Sequence, residues 1–343
     1  MTTSSKKRIT INDIATMTGI SKTTVSFYLN GKTDRMSAAT QERIKRVIDE
    51  TGYSPSPLAR GLNAKHTALI GVIIGDITNT FSNRIVKGIG SVANAAGYRM
   101  LVCNSNYDAD DERAYINRLL SLGVDGFIVQ PSSSFKEVAR VITEANKQLV
   151  FFDSKLYDYS CNWVKTDNYE ATYRAISDCV DRGYQKFIMI GARPELLSTR
   201  IERSSGFVDA LAERGITFEQ LEVDPDTLDV NTIAAYLRER IDGSAPTLVF
   251  APNCWALPDV YRAMREFYPL MPEQVGLVGF DNTEWAGLAS PSVTTIVQPA
   301  FEEGQQAFHI LLDLIEDKHE ENPHQVLDCA IDWGTSTLPA REA

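Results

Sequence analysis

The chain predicts a small all-α head followed by an α/β body of two lobes, each built on a doubly wound parallel sheet. Three observations carry this. From residue 68 onward, apolar runs of strand length alternate with helical stretches, the pattern of parallel strands covered on both faces. The alternation recurs too often for one five-stranded mononucleotide-type unit. Charge is also segregated: residues 1–65 hold eleven Lys/Arg against five acids, and the rest of the 343 residues hold 23 against 40. A head of +6 thus precedes a body of −17 within an overall −11, so only the head is suited to phosphate.

In the head, Ile11, Ile14 and Ala15 recur at helical spacing, Thr10 is placed to cap, and Thr18-Gly19 breaks the run. Ser21 caps a second helix over 22–29 whose Val25 and Leu29 face inward. Lys22, Thr23, Ser26 and Phe27 are left outward. Two short helices around a tight turn form a helix-turn-helix, whose second helix enters the DNA major groove; a plain helical hairpin would share its capping residues. Gly31 ends that helix, and Ser37 opens a third with Ile44, Val47 and Ile48 on one face. Paired prolines at Pro55 and Pro57 then break the pattern. The following 58–65 segment is helix-compatible but too short to be stable alone, as a hinge would be.

In the body, strands are expected at 69–74, 99–103, 126–130, 149–152, 186–190, 247–251, 275–280 and 294–297. Helices are expected at 81–96, 111–122, 137–146, 170–182, 201–214, 231–241, 256–267 and 302–315. The crossover between lobes falls near 165–168, with a return near 298. The predicted organisation is a DNA-binding head at 1–55, a hinge at 56–67 and a body at 68–343. Lobe 1 comprises 68–166 and 298–325; lobe 2 comprises 167–297 and 326–343. Open parallel sheets bind ligands at the carboxyl ends of their strands, so the cleft between the lobes is the expected pocket.

Other classes fit poorly. No apolar run approaches the roughly 20 residues of a spanning helix, and the polar, basic start is not a secretory leader. Five scattered cysteines (Cys103, Cys161, Cys179, Cys254 and Cys329) without a CxxC suit a reducing cytoplasm. Gly88-Ile89-Gly90 lies inside a helical pattern, not after a strand, so it is no nucleotide loop. His319 and His324 beside Glu320 and Glu321 read as a solvated acidic loop rather than a metal site. No catalytic constellation stands out, and no enzyme activity, cofactor or metal is predicted.

The residues then carry a specific likeness. ITINDIATMTGISKTTVSFYLNGK, RIKRVIDETGYSPSPLARGLNAKHTALIGVIIGDITNTF, GVDGFIVQP, the STRIERSSGF segment and VGLVGFDNTEWAGLASPSVTTIVQP together resemble the LacI family of bacterial transcription regulators. Phe27 with YLNGK looks more like its fructose-repressor and ketodeoxygluconate-repressor branches than its lactose branch. The resemblance covers nearly the whole chain in collinear order. It implies a hinge helix, a periplasmic-binding-protein-like sugar-binding body and a homodimer on a near-palindromic operator in double-stranded DNA. It further implies a cytoplasmic repressor of carbohydrate-utilisation genes, with no membrane partner. The chain ends soon after Trp333, with no sign of a lactose-type tetramerisation tail.

The resemblance places Lys22, Thr23 and Phe27 at base edges and Ser21, Thr24, Ser26 and Asn30 at phosphates or caps. Hydroxyls and amides at a helix N-terminus suit phosphate oxygens. Lys22 can donate to guanine, and Thr23 can present a methyl to thymine. Phe27 stands where many relatives carry Arg, so it either meets an apolar base edge or packs on the head itself. Ala59 and Leu62 fall in the hinge, where Leu62 takes the place of the family's minor-groove wedge. Asn63 replaces a frequent Lys.

For the effector the resemblance implies Phe81, Gln130, Asp153, Arg203, Trp255, Asp281 and Gln298. Carboxylates and amides suit sugar hydroxyls, and the Phe81 and Trp255 rings suit a pyranose face. Arg200, three residues before Arg203, shares its face if the helix starts that early; otherwise it is an exposed partner of Glu202 or Glu195. Two arginines point to a carboxylated or phosphorylated sugar. Ala251-Pro252-Asn253-Cys254 departs from the family's frequent Asn-Asp, so the effector is not transferable from a relative. The rival readings are a free sugar-binding protein, disfavoured by the basic head, and a nucleotide-dependent enzyme, disfavoured by the missing glycine fingerprint.

Overall fold

A computed structural model describes residues 9–29, 31–34, 36–53, 66–194, 197–318 and 323–339. The chain divides into two compact units, Met1–Thr67 and Ala68–Ala343.

The first unit holds α1 (Ile11–Thr18), α2 (Lys22–Leu29) and α3 (Ala38–Thr51). Thr10 and Asp13 form a reciprocal capping box at the start of α1, and Gly19 ends it in the left-handed region at φ 63°. Ser21 Oγ accepts from Thr24 N at 3.2 Å to open α2, and Ser37 caps α3. Ile14, Val25, Ile44 and Val47 make a four-residue buried core, with Ile11, Ala15 and Leu29 packed against it.

The second unit contains two six-stranded sheets. In the first, β1 (Leu69–Ile74), β2 (Arg99–Asn104), β3 (Gly126–Val129), β4 (Gln148–Phe152) and β5 (Asn162–Thr166) pair in parallel, with β11 (His324–Leu327) parallel beside β5. The second comprises β6 (Lys186–Gly191), β7 (Phe218–Glu222), β8 (Thr247–Ala251), β9 (Val275–Phe280) and β10 (Thr294–Val297), all parallel, and β12 (Ala330–Asp332), antiparallel to β10. The helices are α4 (Thr80–Ala95), α5 (Ala109–Ser121), α6 (Lys136–Glu144), α7 (Asn168–Arg182), α8 (Ser198–Ala212), α9 (Val230–Arg240), α10 (Leu257–Ala263) and α11 (Ala300–Ile315). The chain therefore passes between the sheets three times: after β5, after β10 and after β11.

Four strands are absent from the sequence expectation: β5 reads NWVKT, β7 reads FEQLE, β11 reads HQVL and β12 spans three residues. None carries the continuous apolar run that marks a central parallel strand. The helix expected over 256–267 stops at Ala263 and gives way to a 3₁₀ turn, Arg265–Leu270, that contains Pro269. β11 stays in the first sheet to Leu327, past the expected 325.

Two helices, α4 and α11, cover one face of the first sheet, and Ile85, Ile89, Ala307 and Phe308 are buried with Ile70, Val72 and Ile128. Their crossing explains the glycines at 88 and 304. A Cβ on Gly88 would lie 2.0 Å from the Phe301 carbonyl oxygen, and one on Gly304 would lie 2.2 Å from that of Ile85. Backbone cannot yield as a side-chain tip does, so Gly88→Ala or Gly304→Ala is expected to cost about 1–3 kcal/mol by overpacking. Urea denaturation of each variant checks this against Gly97→Ala. The space at Gly97 is open but its φ is positive at 81°, so a cost there reports conformational strain alone.

Candidate functional site

In the head, α2 presents its outward face as expected. Ser21, Lys22 and Thr23 are exposed, Thr24 and Ser26 are half-buried, and Val25 is buried beneath them. Phe27 is 49% exposed; its ring is not taken into the head's core. Ser21 and Thr24 share a hydroxyl–hydroxyl hydrogen bond of 2.8 Å at the start of the helix, where backbone N–H groups and the helix dipole favour a phosphate. Asn30, Ala59 and Leu62 lie outside the described residues.

In the body, a cavity of about 370 Å³ opens where the loops after the strands of the two sheets face each other. Phe81, Gln130, Asp153, Arg200, Arg203, Trp255 and Gln298 all line it. Asp281 does not; its Oδ1 accepts from Gln298 N at 2.9 Å, one step behind the wall.

Arg203 ties the floor together. Its Nε donates to Asn168 Oδ1 at 2.7 Å, Nη1 to the Pro252 carbonyl at 2.8 Å and Nη2 to Gln298 Oε1 at 2.8 Å. Its guanidinium carbon sits 3.8 Å from the Phe280 ring centre. Each nitrogen is already engaged, so Arg203 chiefly orders the site rather than standing open for an anion. Gln130 is spent likewise: its Oε1 accepts from Gly75 N at 2.9 Å, and its Nε2 donates to Asp153 Oδ2 at 2.7 Å.

Asp153 and Asp281 occupy matching places, each the residue after a central strand (β4 and β9), and each is left-handed at φ 63° and 51°. Asp and Asn tolerate that conformation better than most residues. Behind them Glu303 of α11 is fully buried, and its Oε1 accepts from Asp153 N at 2.6 Å. Burial, and then the nearby Asp153 carboxylate, hold the Glu303 carboxyl well above its ordinary range. Burial also raises Asp153, with Arg203 the largest opposing influence. Asp281 is pushed by burial up to about 6.

α8 starts at Ser198, early enough to set Arg200 beside Arg203 on the cavity wall. Glu202 is not its partner; Glu202 holds Lys165 of β5 at 2.7 Å in a nearly buried pair that joins the two lobes. Glu195 lies outside the described residues. Other cross-lobe contacts are Arg84 Nη1 donating to Thr283 Oγ1 at 3.2 Å, Lys155 N donating to Ser198 Oγ at 3.0 Å, and Asn79 against Cys254 Sγ at 3.4 Å.

Sequence reasoning missed Asp76, Asn79, Tyr107 and Asn253, which also line the cavity. All four lie in loops that follow β1, β2 or β8, so position after a strand was the available signal. Among the described residues no group of three or more His, Cys, Asp or Glu is placed to hold a metal ion. Nor is any helix among them long and apolar enough to cross a membrane. Residues 319–321 lie outside the description.

Residues 10–56 match the family model for bacterial regulatory proteins of the lacI family, and residues 176–337 match that for the periplasmic binding protein-like domain. The chain is 31% identical over 309 residues to the HTH-type transcriptional regulator KdgR of Bacillus subtilis, covering 90% of this chain and 91% of that one. The chain belongs to the LacI family. It is also 31% identical to the HTH-type transcriptional repressor PurR of Vibrio atlanticus, covering 91% of this chain and 93% of that one. A crystal structure of the lac repressor dimer bound to operator superposes with a TM-score of 0.81 at 23% identity, covering 97% of this chain and all of that one. That likeness bears on the fold. As a LacI-family member the protein is a DNA-binding transcription regulator, not an enzyme.

The acid cluster generates a pH prediction. Asp281 ionises near 6 in the folded chain and near the ordinary ~3.9 when unfolded. The folded state thus binds the extra proton, and ionisation costs about 2–3 kcal/mol, in full above pH ~7 and not at all below pH ~4. Asp281→Asn should therefore gain stability relative to the parent as pH rises from 4 to 7. Urea midpoints across that range test it; a pH-independent difference would refute it.

Proposed function

We propose that the protein is a homodimeric repressor of carbohydrate-utilisation genes that works in the cytoplasm and leaves its operator when a sugar-type effector enters the cleft. The observation that carries this is the presence, in one chain, of an exposed α2 face on a basic head and a cavity between two lobes lined with charged and amide side chains. Lys22, Thr23 and Phe27 read base edges, while Ser21, Thr24 and Ser26 contact phosphates or cap the helix, joined by Asn30, Ala59 and Leu62 as the family likeness implies. Phe81 and Trp255 offer ring faces to the sugar, and Asp153, Gln130, Gln298, Arg200 and Arg203 surround it with polar groups, backed by Asp281. The carboxylated or phosphorylated sugar that two arginines favour is the effector class adopted.

Effector binding acts through lobe closure. The Lys165–Glu202 pair and the Arg84–Thr283 bond span the lobes, so a ligand that favours one lobe arrangement biases these contacts. Transmitted through the 56–67 hinge, a coupling of about 1–3 kcal/mol changes operator affinity about 5- to 150-fold.

Footprinting on the DNA upstream of the protein's own gene tests this. Two protected half-sites about one helical turn apart are expected. Lys22→Ala should weaken binding about tenfold, and Phe27→Arg should move the preferred base toward guanine. Leu62→Ala should abolish the effector's influence on the footprint. Absence of protection, or protection indifferent to all three substitutions, would refute the reading.

A further inference from the structure

The cleft holds two guanidinium groups whose circumstances differ. Each of the three nitrogens of Arg203 donates to a protein acceptor, which uses three of its five N–H groups. Arg200 lines the same cavity, yet its side chain has no hydrogen-bond partner among the described residues. It also lines a neighbouring cavity of about 540 Å³ between the ends of β6 and β7 and the start of α9. The other cation there, Arg193, is paired with Glu222 at 3.3 Å.

Tyr107 faces Arg200 from the other lobe. It follows β2, sits at φ 57° and lines the cavity. Its ring lies against Gly75, where a Cβ would come within 2.1 Å of the ring carbon that bears the hydroxyl. A glycine is thus required for the ring to lie where it does. Its hydroxyl, like Arg200, has no hydrogen-bond partner among the described residues. The two groups are within electrostatic reach, Arg200 acting against the burial that raises the phenol. A planar fork from one lobe and a hydroxyl from the other are the donors a carboxylate accepts.

The rest of the lining limits the charge. Asp76, Asp153 and Asp226 also line this cavity. A phosphate with nearly two negative charges would face these acids with one guanidinium, that of Arg200, left without a partner among the described residues to offset it. A singly charged carboxylate is matched by Arg200 alone, and the acids remain free to accept from hydroxyls.

We propose that Arg200 and Tyr107 form a two-sided clamp for the carboxylate of a hydroxylated sugar monocarboxylic acid, which makes them the residues that select the effector's charge. The clamp rests on the cleft being the effector site. By joining the lobes through the ligand, it also makes closure depend on the anionic group.

Calorimetry and thermal shift of the full chain test this with three sets of probes: D-gluconate and D-galactonate, D-glucose and D-galactose, and the two hexose 6-phosphates. At least one acid is expected to bind about tenfold or more tighter than its neutral parent and its phosphate ester. Arg200→Gln should erase that preference, lowering affinity for the acid about tenfold more than for its neutral parent. Arg200→Lys should restore part of it, and Tyr107→Phe should weaken the acid several-fold without lowering the melting temperature of the free protein. Preference for a phosphate ester, equal or tighter binding of the neutral sugars, or a preference that survives Arg200→Gln would each overturn the clamp and leave the sugar reading standing. A panel in which nothing binds would overturn both.

Discussion

The structure of the body depends on one buried guanidinium. Arg203 reaches Asn168 at the start of α7, the Pro252 carbonyl after β8 and Gln298 just after β10, with its plane against Phe280. Asn168 and Gln298 adjoin points where the chain passes from one sheet to the other. A buried cation is costly unless its hydrogen bonds are satisfied and opposite charge is near. Here three acceptors and the carboxylates of Asp153 and Asp281 meet that demand, so the arginine ties the crossovers to the floor of the cleft.

The acids around it form a graded set. Glu303 is fully buried and held above its ordinary range; it supports the Asp153 backbone rather than facing the cavity. Asp281 is one hydrogen bond behind the wall, and Asp153 lies in it. The same low-polarity surroundings that raise these carboxyls strengthen any hydrogen bond a ligand makes with them. A site of this kind discriminates through satisfied and unsatisfied polar groups, and most of its polar groups are already satisfied by protein. Among the described residues, Arg200 and the Tyr107 hydroxyl are left without a hydrogen-bond partner.

The family relation accounts for the head and for the architecture of the body, yet it leaves the cleft's chemistry to this chain. The loop Ala251–Cys254 places Asn253 so that its Oδ1 accepts from Ala192 N at 2.8 Å, joining β8 to β6, and sets Cys254 against Asn79 of the other lobe. Specificity therefore resides in loops that follow strands, where substitutions leave the two sheets undisturbed.

By itself the sequence determined what local physics controls. Capping residues, glycine stops and apolar periodicity marked the three head helices, and buried central strands such as 69–74, 247–251 and 275–280 appeared as unbroken apolar runs. The segregation of charge separated head from body. Strands β5, β7, β11 and β12 were not legible, because polar residues interrupt them or they are too short to form an apolar run. Which arginine is held by protein acceptors, and which has none among the described residues, was also decided only in three dimensions. Arg200 and Arg203 are alike in sequence, and their difference arises because Asn168, Pro252 and Gln298, distant along the chain, converge on one of them. The burial of Glu303 and the seating of Tyr107 against Gly75 have the same origin: each depends on a partner brought close by the folding of separate strands, and no local pattern encodes it.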